Sequence, residues 1–373
     1  MKTFLVTGAR GFAGRNLVST LRATGAGEVL ECDIGSNSPA HLAEFAERAD
    51  FVFHLAGVNR PKDASEFETG NAGFTQSVLA ALAASGRRTP VLLSSSVQAA
   101  LDNPYGASKR AAEDAVFAYS RETGAPAFVF RLPNVFGKWS RPNYNSAVAT
   151  WCHNIARGLP VEVRDPAAPL TLAYIDEVVA AFLRCASGET PPSNGFLQVP
   201  EEFTRTLGEI VACIRSFRDA RSALAVPDQG DPFIKRLYAT YLSFLPEDAF
   251  AVPLVRHSDA RGSFTELLRT PERGQVSVNI ARPGITKGNH WHHTKHERFY
   301  VVSGTAAIRF RKAGDATAPV TEVRVSGDSP QCVDIPPGLV HNIENTGSCD
   351  LVTVMWASEP FDPARPDTWP ETV

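Results

Sequence analysis

Phe4-Leu5-Val6-Thr7-Gly8-Ala9-Arg10-Gly11-Phe12-Ala13-Gly14 decides the fold of the first two thirds of the chain. A short apolar run suited to a buried strand leads into glycines at 8, 11 and 14. Asn16-Leu17-Val18-Ser19-Thr20-Leu21-Arg22 then places its apolar positions on one helix face. Glycine serves such a turn in three ways: it allows the sharp bend, lets backbone approach a pyrophosphate, and packs helix tightly on strand. The helix N-terminus then offers unpaired N–H groups to the phosphates. Working outward, Val29-Leu30, Phe51-Val52-Phe53-His54-Leu55, Val91-Leu92-Leu93 and Ala127-Phe128-Val129-Phe130 read as further buried strands. Asn71 to Ser85 and Lys109 to Arg121 read as helices between them. Strands alternating with helices predict a Rossmann-type α/β fold, a doubly wound parallel sheet covered on both faces.

The pattern changes near Leu245-Pro246-Glu247-Asp248. From Val252 the apolar runs are short and alternating, as in Val276-Ser277-Val278-Asn279-Ile280 and Phe299-Tyr300-Val301-Val302, between turns such as Arg282-Pro283-Gly284 and Pro336-Pro337-Gly338. This predicts an all-β barrel of jelly-roll type. The expected organisation is a dinucleotide-binding domain over 1–245, a linker over 246–251 and a β domain over 252–373. The 373 residues are too many for one ordinary domain. A net charge of −3 without a long basic run argues against nucleic-acid and polybasic membrane partners. No apolar stretch reaches the roughly 18–20 residues of a membrane span. Met1 to Val6 runs straight into a strand, which leaves no room for a signal peptide. Six scattered cysteines without a C-x-x-C pair read as buried, reduced thiols, and the expected location is cytoplasmic.

Tyr105-Gly106-Ala107-Ser108-Lys109 puts a phenol and an ammonium four apart on one helix face, with Ser94-Ser95-Ser96 upstream after a buried strand. An ammonium stabilises the phenolate and can bring a pKa of about 10 towards neutrality, and a serine hydroxyl can polarise a carbonyl. Asp33 after the second strand can accept from a ribose 2′-OH and favour NAD. Arg10 and Arg15 can pair with a 2′-phosphate and favour NADP. The residues alone leave both open.

In the β domain, Gly284-Ile285-Thr286-Lys287-Gly288-Asn289-His290-Trp291-His292-His293-Thr294-Lys295-His296-Glu297, closed by Gly304, has the form G-x5-H-x-H-x4-E-x6-G. Pro336-Pro337-Gly338-Leu339-Val340-His341-Asn342-Ile343-Glu344-Asn345 has the form P-x-G-x2-H-x3-N. On a strand His290 and His292 share a face, and Glu297 and His341 can converge on them from neighbouring strands. Three imidazoles and a carboxylate suit a divalent ion, zinc first, with iron, nickel or manganese as alternatives. His293 and His296 are expected bystanders.

Gly8-x-x-Gly11-x-x-Gly14, Ser96 and Tyr105-x-x-x-Lys109 resemble the extended short-chain dehydrogenase/reductases (SDRs) that act on nucleotide sugars. That resemblance implies catalytic roles for Ser96, Tyr105 and Lys109. It implies cofactor contacts for Gly8, Arg10, Gly11, Phe12, Gly14, Asp33, Leu55, Ala56, Gly57, Tyr105 and Lys109. Asn134, in Arg131-Leu132-Pro133-Asn134-Val135-Phe136-Gly137, is implied to face the sugar nucleotide. Only nine positions separate Ser96 from Tyr105, fewer than in the sugar epimerases, so Ser95 is an alternative to Ser96.

The two histidine motifs resemble those of the cupins, which implies metal ligation by His290, His292, Glu297 and His341. Asp259-Ala260-Arg261-Gly262-Ser263-Phe264-Thr265-Glu266 resembles the entry segment of the deoxysugar 3,5-epimerases, which implies substrate contacts for Arg261, Phe264 and Glu266, with Lys287 beside them. Over its whole length, including Gly137-Lys138-Trp139, Pro142-Asn143-Tyr144-Asn145-Ser146 and Lys287 to His293, the chain is similar to the CapF-like bifunctional capsular polysaccharide enzymes. This implies C3 epimerisation of a UDP-2-acetamido-2,6-dideoxy-4-hexulose in the cupin, then NADPH reduction of C4 in the reductase domain, giving UDP-2-acetamido-2,6-dideoxy-L-talose. Glu266, Lys287 and Lys295 are the acid–base candidates. A single-activity reductase carrying a structural or regulatory metal cupin is the alternative, and a non-enzymatic sugar-nucleotide sensor a third. Exposed edge strands of the barrel predict a homodimer.

Overall fold

The computed structural model describes residues 1–33, 39–59, 63, 67–193, 195–270 and 273–373. The chain divides into two compact units. One comprises Met1–Arg215 with Arg236–Pro246, and the other Ser216–Lys235 with Glu247–Val373. Ser216–Lys235, which the sequence pattern puts with the first domain, thus groups with the second. There Ala225 bridges to Arg269, whose N–H donates to the Leu224 carbonyl.

In the first unit, strands β1 (Lys2–Thr7), β2 (Gly27–Cys32), β3 (Phe51–His54), β4 (Val91–Ser96) and β5 (Ala127–Leu132) form a parallel sheet. A short strand, Phe196–Leu197, completes the order β2-β1-β3-β4-β5-(196–197). The period-two alternation of these strands sends their side chains into two cores. Phe4, Val6, Phe51, Phe53, Phe128 and Phe130 pack on one face with Leu17, Leu21 and Phe182. Leu5, Val52, Val91, Leu93 and Val129 pack on the other with Val78, Leu82 and Val116. Burying each such side chain contributes about 1.5–3 kcal/mol.

From β1 the chain steps outward to β2 and then returns to β3 on the far side of β1. The strand order therefore reverses at the carboxyl ends of β1 and β3, where open α/β sheets take their ligands. Two glycines make that junction possible. A Cβ on Gly8 (φ +68°) would lie 2.7 Å from the Ala56 backbone, and one on Gly14 would lie 2.1 Å from the Gly8 carbonyl oxygen. Helix Phe12–Ala23 therefore starts against the turn itself, with Gly11 as an N-cap that offers no side-chain bond.

Helix Pro104–Thr123 carries the tyrosine and lysine. Asn103 caps it, its side chain accepting the Gly106 N–H at 2.7 Å, Pro104 opens its first turn, and Gly124 at φ 74° ends it. The helix starts five residues before the predicted start at Lys109. Among the described residues no helix is long and apolar enough to cross a membrane.

The second unit is antiparallel and cupin-like. One sheet runs Arg256–Asp259, Gly262–Thr270, Gly274–Ala281, Leu351–Ala357, Glu297–Ser303, Cys332–Ile335. The other runs Thr321–Ser326, Thr305–Lys312, Leu339–Asn345, Thr286–Trp291, Trp369–Pro370. Their inner faces share a core that includes Phe299, Ile308, Phe310, Ile335, Ile343 and Leu351. Of the six cysteines, Cys32, Cys152 and Cys185 are buried as expected, whereas Cys332 and Cys349 are exposed.

Gly14→Ala tests the turn. The added methyl has only backbone to displace, and overpacking of this kind costs about 1–3 kcal/mol. The urea midpoint of the full chain is expected to fall accordingly and nicotinamide nucleotide binding to weaken. An unchanged midpoint would show that the turn tolerates a Cβ.

Candidate functional site

The first site lies at the strand reversal. Leu55 and Ala56 run directly beneath Gly8, and the start of helix Phe12–Ala23 presents its first-turn N–H groups there. Asp33 and Arg10, the rival signals for cofactor choice, meet. The Arg10 N–H donates to Asp33 Oδ1 at 3.2 Å and Arg10 Nε lies 3.5 Å from Asp33 Oδ2, while the Arg10 side chain is largely exposed.

Beneath them runs a buried hydrogen-bond chain that sequence reading missed. The Ala56 N–H donates to Thr7 Oγ1 (3.3 Å), and Thr7 Oγ1 lies 2.7 Å from His54 Nδ1. His54 Nε2 lies 2.8 Å from Thr75 Oγ1, which donates to the Asn71 carbonyl (2.7 Å). Because Thr75 spends its proton on the Asn71 carbonyl, His54 donates to it from Nε2, and a ring kept neutral by burial then accepts from Thr7 at Nδ1. Burial, then the charge of Lys109, pushes its pKa down to about 3. The Asn71 side chain clasps both backbone groups of Val58 (2.8 and 3.2 Å) and donates to Ser108 Oγ at 3.0 Å. Asn71 stood only as the first residue of a predicted helix, and His54 only as part of a quoted segment. Their roles depend on contacts 13 to 47 residues apart in sequence.

Tyr105 and Lys109 come together as their spacing predicts, with Lys109 Nζ 5.9 Å from the centre of the Tyr105 ring. Lys109 is buried, donates to the Ser94 carbonyl at 3.2 Å, and lies against Gly57, where a Cβ would meet Nζ at 3.0 Å. Burial lowers its pKa to about 8, partly opposed by Glu113. The expected lowering of the phenol pKa is reversed: burial raises Tyr105, and the nearby Ser96 hydroxyl pulls it only partly back.

The serine register is resolved by the same geometry. Ser95 turns to the other face and donates to Glu113 Oε1 at 2.5 Å, while Glu113 takes a two-pronged bond from Arg131 (3.0 and 2.7 Å). Ser96, not Ser95, faces the tyrosine. Asn134 is exposed on the short strand Asn134–Phe136.

In the second unit His290, His292, Glu297 and His341 each bring one ligand atom, all within 4.8 Å of one another. His290 stands opposite His341 across Thr286–Trp291 and Leu339–Asn345, after a bulge at Asn289, whose φ is +58°. Glu297 Oε2 lies 3.5 Å from His292 Nε2 and 3.3 Å from His341 Nε2, and all three atoms are buried without a hydrogen-bond partner. Buried polar atoms left facing one another in this way are costly unless a cation sits among them. The outer nitrogens are tied off instead, His292 Nδ1 by the Asp367 carbonyl and His341 Nδ1 by the Leu339 carbonyl at 3.3 Å. That is the outer-sphere arrangement that aims Nε2 lone pairs at a metal.

Burial raises the Glu297 carboxyl, but without an ion the positive charge that His292 and His341 carry when protonated outweighs it and holds the group well below the usual range. Burial first, then His341 and His292, pushes His290 to about 4. The four residues fit a divalent ion as neutral imidazoles and one carboxylate.

Beside them opens a cavity of about 350 Å³ whose walls include Arg261, Phe264, Lys287, His290 and His341. Lys287 Nζ donates to Asn279 Oδ1 (2.7 Å) and the Ile280 carbonyl (2.8 Å), and burial lowers its pKa. Arg261 is held by Asp259. Glu266 is not brought to the wall: its carboxylate takes Arg269 at 3.2 Å, next to a bulge in its strand. Lys295 is buried against Thr368. His293 and His296 are exposed and meet Trp291 and Trp356, respectively, edge-on.

Residues 4–194 match the NAD dependent epimerase/dehydratase family, and residues 257–369 the polysaccharide biosynthesis C-terminal domain. The solved structure of the capsular polysaccharide assembling protein CapF from Staphylococcus aureus superposes with a TM-score of 0.92 at 46% identity, covering 100% of both chains. The chain belongs to the CapF-like family. A UDP-2-acetamido-2,6-beta-L-arabino-hexul-4-ose reductase of Pseudomonas aeruginosa is 45% identical over 98% of this chain and 97% of its own. The spore coat polysaccharide biosynthesis protein SpsL of Bacillus subtilis is 30% identical over 31% of this chain and 81% of its own. The first unit of this CapF-like chain therefore has an oxidoreductase fold that carries a nicotinamide dinucleotide, and its second unit holds a histidine–glutamate cluster fit for a metal.

Lys109 allows a direct check. Its folded pKa of about 8 lies below the ordinary 10.5. Between those values the folded chain binds fewer protons than the unfolded one, so this group makes stability rise with pH across that window. Lys109→Met removes the charge burial. In urea unfolding without nucleotide the variant is expected to be more stable than wild type at pH 7, by on the order of 1–3 kcal/mol. It should lose that advantage towards pH 10.5. A variant no more stable at pH 7 than at pH 10, relative to wild type, would contradict the burial.

Proposed function

We propose that the chain is a bifunctional nucleotide-sugar enzyme. The second unit epimerises C3 of a UDP-2-acetamido-2,6-dideoxy-4-hexulose, and the first reduces C4 with NADPH to UDP-2-acetamido-2,6-dideoxy-L-talose, a precursor for surface polysaccharide. The observation that carries this reading is that each unit holds its own buried site: Tyr105, Ser96 and Lys109 at the strand reversal, and a cavity bordered by His290, His341 and Lys287. The name of the Pseudomonas relative, a reductase of a hexul-4-ose, supports a ketone at C4 as the reducible group.

NADPH supplies the hydride when bound. Tyr105, kept protonated by burial, gives its proton to the C4 oxygen, and Ser96 hydrogen-bonds the same oxygen. Lys109, beside which Gly57 leaves room, would steady the phenolate that the proton transfer leaves and would hold the nicotinamide ribose. Arg10 favours NADPH over NADH. Its bonds to Asp33 offset the carboxylate that would repel a 2′-phosphate, and its exposed guanidinium is available to pair with one.

A divalent ion, zinc by its donor set, supplies Lewis acidity to the C4 oxygen when bound by His290, His292, Glu297 and His341. A ketone at C4 acidifies the C3 proton, so inversion needs a proton taken from one face and returned to the other. Among Glu266, Lys287 and Lys295, only Lys287 lines the cavity, and its lowered pKa suits proton transfer. Arg261 and Phe264 hold the sugar nucleotide there. Epimerisation comes first, because the C4 alcohol no longer acidifies C3.

Tyr105→Phe in D2O separates the two steps. With the 4-ketosugar and NADPH, nicotinamide oxidation is expected to fall by at least about 100-fold, while deuterium enters C3 at the wild-type rate. Equal loss of both would refute two separate sites. Reduction without any C3 exchange in wild type would favour the single-activity reductase.

A further inference from the structure

Asp367 reaches back across the metal-ligand turn from a position that no motif covers. Its carboxylate accepts three consecutive backbone N–H groups, those of His293 (2.8 Å), Thr294 (2.8 Å) and Lys295 (2.9 Å), as well as the Thr294 hydroxyl at 3.1 Å. These are residues of the turn that joins ligand His292 to ligand Glu297. Its own backbone carbonyl takes His292 Nδ1. One residue thus sets both the path of the turn and the direction in which the His292 Nε2 lone pair points.

The segment around it is anchored independently. Trp369–Pro370 pairs with Trp291 and His290 as a strand on the ligand-bearing edge. The Glu371 N–H donates to the Asn289 carbonyl at 3.0 Å. Arg311, only 6% exposed, binds Glu371 (2.8 Å) and the Thr372 carbonyl (2.5 Å).

We infer that Asp367 is a positioning residue for the metal centre, the clasp of a strap over 367–373 that preorganises His292 and Glu297 for a divalent ion. This rests on the metal reading above. It supplies a physical reason for the strap to be there: a cluster of three histidines and a carboxylate binds tightly only if its members do not have to be ordered at the moment of binding.

The test uses the full-length protein, with cobalt(II) as the probe, read by chelator competition and by its visible ligand-field spectrum. Asp367→Ala is expected to weaken cobalt binding about 10–100-fold and to change the spectrum. Asp367→Asn, which keeps one acceptor oxygen and the backbone carbonyl, should fall between this and wild type. It decides the matter if the alanine variant does not fold. Arg365→Ala, in an exposed side chain just before the strap, should match wild type. Wild-type affinity and spectrum in the folded Asp367 variant would overturn the inference and leave the metal reading standing. A wild-type protein that takes up no cobalt would overturn both.

Discussion

Among the described residues the Lys109 ammonium, buried in the first unit, has no ion-pair partner in contact, and the arrangement around it follows from that constraint. Glu113, four residues along the same helix, would be the obvious partner. Its carboxylate is instead taken by Arg131 in a two-pronged bond and by Ser95. The ammonium is left with the Ser94 carbonyl, the face of Tyr105 and the bare backbone of Gly57. Such a group costs folding free energy unless its surroundings are fixed. The relay from Ala56 through Thr7, His54 and Thr75 to Asn71 fixes them. Asn71 then clamps Val58, next to Gly57, and Ser108, next to the lysine. The second unit repeats the principle with opposite charge. The Glu297 carboxylate is buried facing imidazole lone pairs, held in place by bonds made one layer further out.

What was legible in the sequence was whatever rests on local spacing. Short continuous apolar runs marked the parallel strands, because both faces of each strand feed a core. The glycine intervals at 8, 11 and 14 marked the turn, because backbone must touch backbone there. H-x-H marked the ligand strand, because alternate residues share a face. What stayed hidden depends on contacts distant in sequence. Ser95 and Ser96 are equivalent until the helix Pro104–Thr123 is laid beside them. Only then does Glu113 claim one and Tyr105 the other. Asp367 is 75 residues from the histidine it orients, and no composition or pattern connects the two. Glu266 looked like a pocket residue by resemblance, but the bulge after it and the pull of Arg269 take it away from the cavity wall.

The sign of the tyrosine shift has a consequence for chemistry. A phenol raised by burial keeps its proton at neutral pH, and its phenolate, once formed, is the stronger base for it. In the proposed reduction, that proton is the one the developing alkoxide takes up. On the proposed reading, one ketone serves in turn to loosen C3 and to accept hydride at C4, which makes the order of events a matter of carbonyl chemistry.

The most direct measurement is the NMR structure of the product formed by the full-length protein from the UDP-4-ketosugar and NADPH in D2O. The account predicts an alcohol inverted at C3, carrying deuterium at C3 and, at C4, the protium delivered by NADPH. An alcohol with C3 unchanged and still bearing its original hydrogen would contradict it.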